Sequence, residues 1–329
     1  MTNIKEKLTE QQLLKYKSYG AKGAGVLFYI FRYLILLTVG YIVIYPLISM
    51  IVTSIQSLAS MTTSIRMWIP TEFDIKDNYG LAIKVMSYGK SLGITLLYMM
   101  VPAVLQIATC SIAAYGFARF NFKGKGILTA LLFVTILVPD IMIVIPRMVS
   151  YTHLDFLGIL GLIDKLTGLD LRVNIINTVW ASYLPAIFGA GVRSGILIYI
   201  YIQFFKGLPR ELEEAAWVDG ANPFRAFLSI AIPSSGVVIL TVAVFSLIWH
   251  WNETVNSSMF LSGKMPLSIQ IKYFSKNTST ILTDHGNRDY NTTAIKNAAC
   301  ILFITPMLIF YMIVQRWFIE SIDRVGITG

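Results

Sequence analysis

The chain has 329 residues, of which 55% are hydrophobic and 14% charged, against roughly a quarter charged in an ordinary soluble domain. Mean hydropathy is +0.65, and the apolar residues form runs: no Asp, Glu, Lys or Arg occurs between Tyr33 and Ile65, Ser91 and Ala118, Ala226 and Asn252, or Asn297 and Gln315. Such runs suffice to cross hydrocarbon and exclude a soluble globular protein, while the net charge of +9 is scattered and lacks the basic, aromatic stripe expected of a nucleic-acid binder.

In chain order, residues 1–24 are polar and basic, with Lys5, Lys7, Lys15, Lys17 and Lys22 beside Glu6 and Glu10. They read as a cytoplasmic segment on the membrane surface. The apolar run that follows is longer than a signal-peptide core and has no small-residue cleavage site after it, so no cleavage is expected. A first span is predicted over about 26–54, then a polar outer loop to about 90 and a second span over about 91–117. The connection from Arg119 to Lys125 carries three basic residues and no acid, which makes it cytoplasmic by the positive-inside rule. A third span, about 126–150, contains Pro139, Asp140, Pro146 and Arg147; it is expected to be kinked or broken, with irregular backbone facing protein or water. The fourth stretch, about 173–205, is longer than one span needs and holds Pro185, Gly189, Gly191 and Arg193. A charged segment over 207–225, a fifth span at about 230–253, a Ser, Thr and Asn-rich outer loop over 255–296 and a sixth span at about 297–317 complete the pattern. The expected fold is all-α and polytopic, with six transmembrane helices and both termini cytoplasmic. It comprises a basic segment 1–24, a transmembrane domain 25–317 and a tail 318–329.

Residues 207–233 read locally as two short helices. Pro209 suits a first helical turn, Glu211, Glu213 and Glu214 complement a positive helix N-terminus, and Gly220 is placed for a left-handed cap. Asn222 then caps a second helix, with Pro223 opening it. Phe224, Phe227, Leu228 and Ala231 share one face of that helix. The result is a helix-turn-helix with a small-residue patch at Ala215 and Ala216.

Ionisable groups inside spans cost on the order of 3 kcal/mol each by insertion scales and are functional candidates by default: here Asp140, Arg147 and Arg193. The run Trp249-His250-Trp251-Asn252-Glu253 combines aromatic faces with hydrogen-bonding groups, as a sugar site does; an interfacial aromatic belt is the competing reading. Asp140, Arg193, Trp249, Trp251, Asn252 and Glu253 form the candidate substrate path. His153, His250 and His285 lack ligand spacing, so no metal is expected. Cys110 and Cys300 lie in apolar runs and give no disulfide framework. There is no Gly-x-Ser-x-Gly elbow or reactive Cys-His pairing, and Gly89-Lys90-Ser91 lacks the upstream glycine of a phosphate loop. Neither catalysis nor a cofactor is expected.

The segment Glu214-Ala215-Ala216, Gly220, Ile230 and Ile232-Pro233 resembles the signature loop of ABC importer permeases: Glu-Ala-Ala, three residues, Gly, nine residues, Ile, one residue, Leu-Pro. Ile232 replaces the Leu. Further stretches are similar to the maltose-type carbohydrate-uptake branch of that family: Phe204 to Pro209, Trp251-Asn252-Glu253, Met265-Pro266-Leu267, Gln315 to Phe318, and Trp68-Ile69-Pro70 through Asn78-Tyr79. The resemblance implies a pore-forming subunit that binds no nucleotide and works by alternating access. Its implied partners are a second permease, two ATPase subunits and an extracellular solute-binding protein or lipoprotein. It also implies that the coupling loop 207–229 docks on an ATPase through Glu213, Glu214, Ala215, Ala216, Asp219, Gly220, Arg225 and Pro233, and that residues 319–329 reach between the ATPases. The Asn-x-Ser/Thr sequons at Asn252, Asn256, Asn277 and Asn291 would then be coincidental in a bacterial membrane protein. A polytopic sugar or lipid transferase, a secondary carrier and a permease for a non-sugar solute are the competing functions; the register of the signature weighs against the transferase, and no matched hydrophobic repeats favour the carrier.

Overall fold

The computed structural model describes the backbone of residues 2–63, 69–155, 158–168, 172–283 and 291–326. Side chains are described within those ranges, except at 2–27, 62–63, 164, 280, 282–283 and 318–326. The basic side chains of the N-terminal segment, together with His285 and Arg288, lie outside the described residues. Among the described residues the chain is helical, apart from two isolated antiparallel bridges, Gln56 to Phe73 and Leu154 to Val173.

Helix α1 (Thr2–Ser54) continues through Pro46. Its apolar portion Phe28–Ser54 is long enough to span a membrane, and its most apolar 18-residue stretch has no residue buried against the rest of the chain; only toward its end does it pack inward, with Ser54 buried. Helix α2 (Ile75–Val85) leads into α3 (Tyr88–Arg119), the long central span. α4 (Lys125–Leu137) and α5 (Asp140–Thr152) are two halves bent by 105°, because Pro139 cannot donate to the helical ladder and holds extended backbone at φ −61°, ψ 134°. The expected break of the third span is therefore present.

The fourth stretch is not one over-long span. It divides into α6 (Trp180–Ile187) and α7 (Ser194–Gly207), separated where Gly189 and Arg193 take positive φ of 64° and 52°. At 14 residues, α7 is about 21 Å long, short of a hydrocarbon core of about 30 Å. Then follow α8 (Glu211–Val218), α9 (Pro223–Ser234) and α10 (Gly236–Trp251), the last two bent by 82°. The fifth span thus begins nearer Gly236 than residue 230. The described residues after α10 form α11 (Val255–Phe260), α12 (Leu267–Lys272) and α13 (Phe274–Thr283). The last helix, α14 (Thr292–Gly326), continues the sixth span through most of the expected tail. Among the described residues, three helices are long and apolar enough to cross a membrane, or up to five spans if each bent pair counts as one.

Both π-helical turns precede a proline. Leu96–Met100 lies before Pro102 and Phe227–Ala231 before Pro233; the missing proline N–H breaks the ordinary ladder, and Val101 and Ile232 donate five residues back, to Leu96 and Phe227. The main core joins α3, α7 and α10: Cys110, Ala114 and Ala118 of α3 meet Leu197, Tyr201 and Phe205 of α7 and Val238 and Val242 of α10. Small residues on one face of α3 let the helices approach closely, as membrane packing requires. A second core, at the Tyr88 end of α3, gathers Ala82, Met86, Trp251, Leu267, Phe274, Ile295 and Ala298, so the segments that follow α1 and α10 pack together.

Candidate functional site

The helix-turn-helix forms from its local chemistry. Gly220, at φ +82°, ends α8 in a Schellman cap: the Ala221 N–H donates to the Ala216 carbonyl at 2.9 Å and the Gly220 N–H to that of Trp217 at 3.0 Å. Asn222 Oδ1 accepts from the Arg225 N–H at 2.7 Å, and Pro223 opens α9. On the outer face of this unit Glu214, Ala215, Asp219, Gly220 and Arg225 are exposed and Ala216 half-buried. Leu212, Trp217, Val218 and Phe224 accompany them, Val218 at 87% exposure. Sequence reasoning placed Phe224 on an apolar helix face but passed over Leu212, Trp217 and Val218, although large apolar side chains on a charged loop were a signal for a docking surface.

Glu213 faces the other way. Its Oε1 accepts from Arg119 Nε at 2.8 Å, both side chains being almost completely buried. Arg119 Nη2 donates to the Leu208 carbonyl at 3.0 Å. Beside the pair, the Tyr115 ring packs at 5.6 Å from Phe205 and 5.0 Å from Phe227. One guanidinium therefore ties the end of α3 to α8 and to the residue after α7. Pro233 is exposed and lies at the bend before α10.

Farther along the spans, a cavity of about 650 Å³ lies between the α4–α5 break, the start of α7 and the end of α10. Asp140, Arg193, Trp249, Asn252 and Glu253 all line it. The helix positions explain the grouping. Trp249, Asn252 and Glu253 stand three and four residues apart, Asp140 opens α5, where the helix dipole favours a carboxylate, and Arg193 immediately precedes α7. The Arg193 guanidinium lies 5.1 Å from the Trp249 ring centroid. Trp251 is turned away: it is buried in the second core, and its Nε1 donates to the Phe303 carbonyl at 3.2 Å. Arg147 belongs to an adjoining crevice with His250, Glu253 and Asn256, and reaches Asn256 Oδ1 at 3.4 Å.

The irregular backbone between α6 and α7 is satisfied from within, as a membrane interior demands. The Gln106 amide donates to the Val192 carbonyl and to Ser194 Oγ, each at 2.7 Å. Thr109 donates to the Ala186 carbonyl at 2.7 Å, and Ser246 of α10 to the Ala103 carbonyl at 3.2 Å. Gln106 is fully buried; sequence reasoning did not single it out, and one Gln in an apolar run was the available signal. The cavity thus offers an aromatic face, an amide, two carboxylates and a guanidinium, which can stack on and hydrogen-bond a hydroxylated solute.

Residues 106–324 match the family described as binding-protein-dependent transport system inner membrane component. Among relatives, the osmoprotective compounds uptake permease protein GgtD of Synechocystis sp. is 28% identical, over 87% of this chain and 88% of its own. The arabinooligosaccharides transport system permease protein AraQ of Halalkalibacterium halodurans is 24% identical, over 89% of this chain and 96% of its own. Protein LplC of Bacillus subtilis is 27% identical, over 93% and 96%. The fold is similar to a chain in the crystal structure of a bacterial ABC transporter involved in the import of the acidic polysaccharide alginate, with a TM-score of 0.63 at 19% identity over 89% of this chain and 96% of that one. With a family match over well more than half its length, the chain belongs to the binding-protein-dependent transport system inner membrane components and is a multi-pass permease subunit of the ABC importer type.

Proposed function

We propose that the protein is the permease subunit of an ATP-driven importer of oligosaccharides or other carbohydrates. It pairs with a second, similar permease, is driven by two ATPase subunits and is fed by an extracellular solute-binding protein. Substrate crosses by alternating access, past Asp140, Arg193, Trp249, Asn252 and Glu253. Both termini, the 119–125 connection and the 207–229 loop face the cytoplasm. The observation that carries this reading is the folded helix-turn-helix, which presents Glu214, Ala215, Asp219 and Gly220 with Trp217, Val218 and Phe224 on its free face. ATP hydrolysis is assigned to the partner that receives this face. The carbohydrate assignment is supported by the names of relatives such as the arabinooligosaccharide permease and by the stacking and hydrogen-bonding groups around the cavity. The end of α14, through Gly326, is the segment proposed to reach the ATPases.

Affinity purification of the tagged chain from its own membranes tests the assignment, with a Gly220→Val variant beside it. A β-branched residue in left-handed backbone costs about 1–2 kcal/mol and distorts the cap. The wild type is expected to recover an ATP-binding-cassette subunit, a second permease and a solute-binding protein. Gly220→Val should insert in the membrane normally and lose most of the ATPase. Absence of an ATPase from the wild-type preparation, or its undiminished recovery with the variant, would contradict the reading.

A further inference from the structure

The buried contact between Arg119 and Glu213 lies on the side of α8 that faces away from its exposed docking residues. A buried ion pair contributes little net stability over apolar packing, so a merely structural joint has no need of charge. What the guanidinium adds is direction: its two donors bind Glu213 of α8 and the carbonyl of Leu208 together, and such a fork resists the sliding that apolar side chains permit.

From Arg119, α3 runs as uninterrupted α-helix back to Val101. Gln106 stands 13 residues, or about 20 Å, from Arg119 along that helix. There it grips the residues on both sides of Arg193, at the Val192 backbone carbonyl and the Ser194 side-chain hydroxyl. A Cβ at Gly191 would stand 3.1 Å from the Gln106 amide carbon, so the broken segment lies directly against α3. Arg193 in turn lies over Trp249 in the cavity wall.

We propose that α3 is a connecting rod and that Arg119 and Glu213 are the joint at its driven end. A displacement of α8 is carried along α3 to Gln106, which moves Arg193 and opens or closes the cavity wall. Arg119, Glu213 and Gln106 are positioning residues; none of them need touch substrate or nucleotide. The proposal rests on the importer reading given above.

The test uses the whole transporter in proteoliposomes, with Cys110 and Cys300 replaced by Ala and the double substitution Arg119→Cys, Glu213→Cys introduced. Transport and ATP hydrolysis are measured on one preparation, before and after a reducible bifunctional thiol reagent links the two positions. Before linking, solute moved per ATP hydrolysed is expected to fall on the order of tenfold, the scale of a coupling free energy between linked sites. Linking should restore it, and reduction should abolish it again; a residue that merely maintained the fold would show no such reversal. A ratio at the level of the cysteine-free parent before linking, or one that stays low after linking, overturns the joint. If that parent hydrolyses ATP without any transport, or does neither, the importer reading itself fails and the joint with it.

Discussion

Trp249 and Trp251 occur two residues apart in one aromatic run, yet the structure gives them opposite tasks. Successive helical residues turn by about 100°, so side chains two apart point in nearly opposite directions. Trp249 therefore shares its face with Asn252 and Glu253 on the cavity, and Trp251 enters the core beside Phe303. Replacing Trp249 with Ala should raise the apparent KM for uptake about threefold to tenfold, the worth of one stacking face, with little change in the melting temperature of the solubilised protein. Trp251→Ala should leave KM near the wild-type value and lower stability by about 3–5 kcal/mol. Uptake kinetics and thermal unfolding of both variants check this; a larger KM change at Trp251 than at Trp249 would contradict the placement. The split was readable from helical geometry, whereas the partner of Arg119 was not, because Glu213 lies 94 residues away and only tertiary packing joins them.

At the scale of elements, the signals that succeeded are local ones. Gly220, Asn222 and Pro223 fix their own backbone or cap it, so the helix-turn-helix was legible down to its caps. Pro139 announced the broken third span for the same reason. The division of the fourth stretch was harder to read: Pro185, Gly189 and Gly191 permit a break, but Gln106 and Thr109 on another helix supply the hydrogen bonds that make it tolerable. Likewise, the polar composition of 255–296 concealed Leu267 and Phe274, which bury against Ala82, Met86 and Ile295. Orientation still rests on the basic connection after α3. A single cysteine placed by Lys123→Cys in a cysteine-free background is expected to react with a membrane-impermeant maleimide only after the cells are opened. Labelling of intact cells there would reverse the topology.

For the whole molecule, α8 with its exposed face is tied to the Arg119 end of α3, Gln106 near the middle of α3 holds the segment that lines the cavity, and a second packed core lies at the Tyr88 end. The most apolar 18-residue stretch within Phe28–Ser54 exposes its surface, as expected of a lipid-embedded span. The match over residues 106–324 establishes the family; the proposed solute class and energy source are open to one measurement. The purified transporter, sealed in proteoliposomes with its ATPases facing outward and solute-loaded binding protein in the lumen, measures them together. A radiolabelled oligosaccharide is expected to leave the lumen only when ATP is added outside, and removing the binding protein is expected to stop the flux. Flux that proceeds without ATP, or follows an ion gradient instead, would contradict the proposed function.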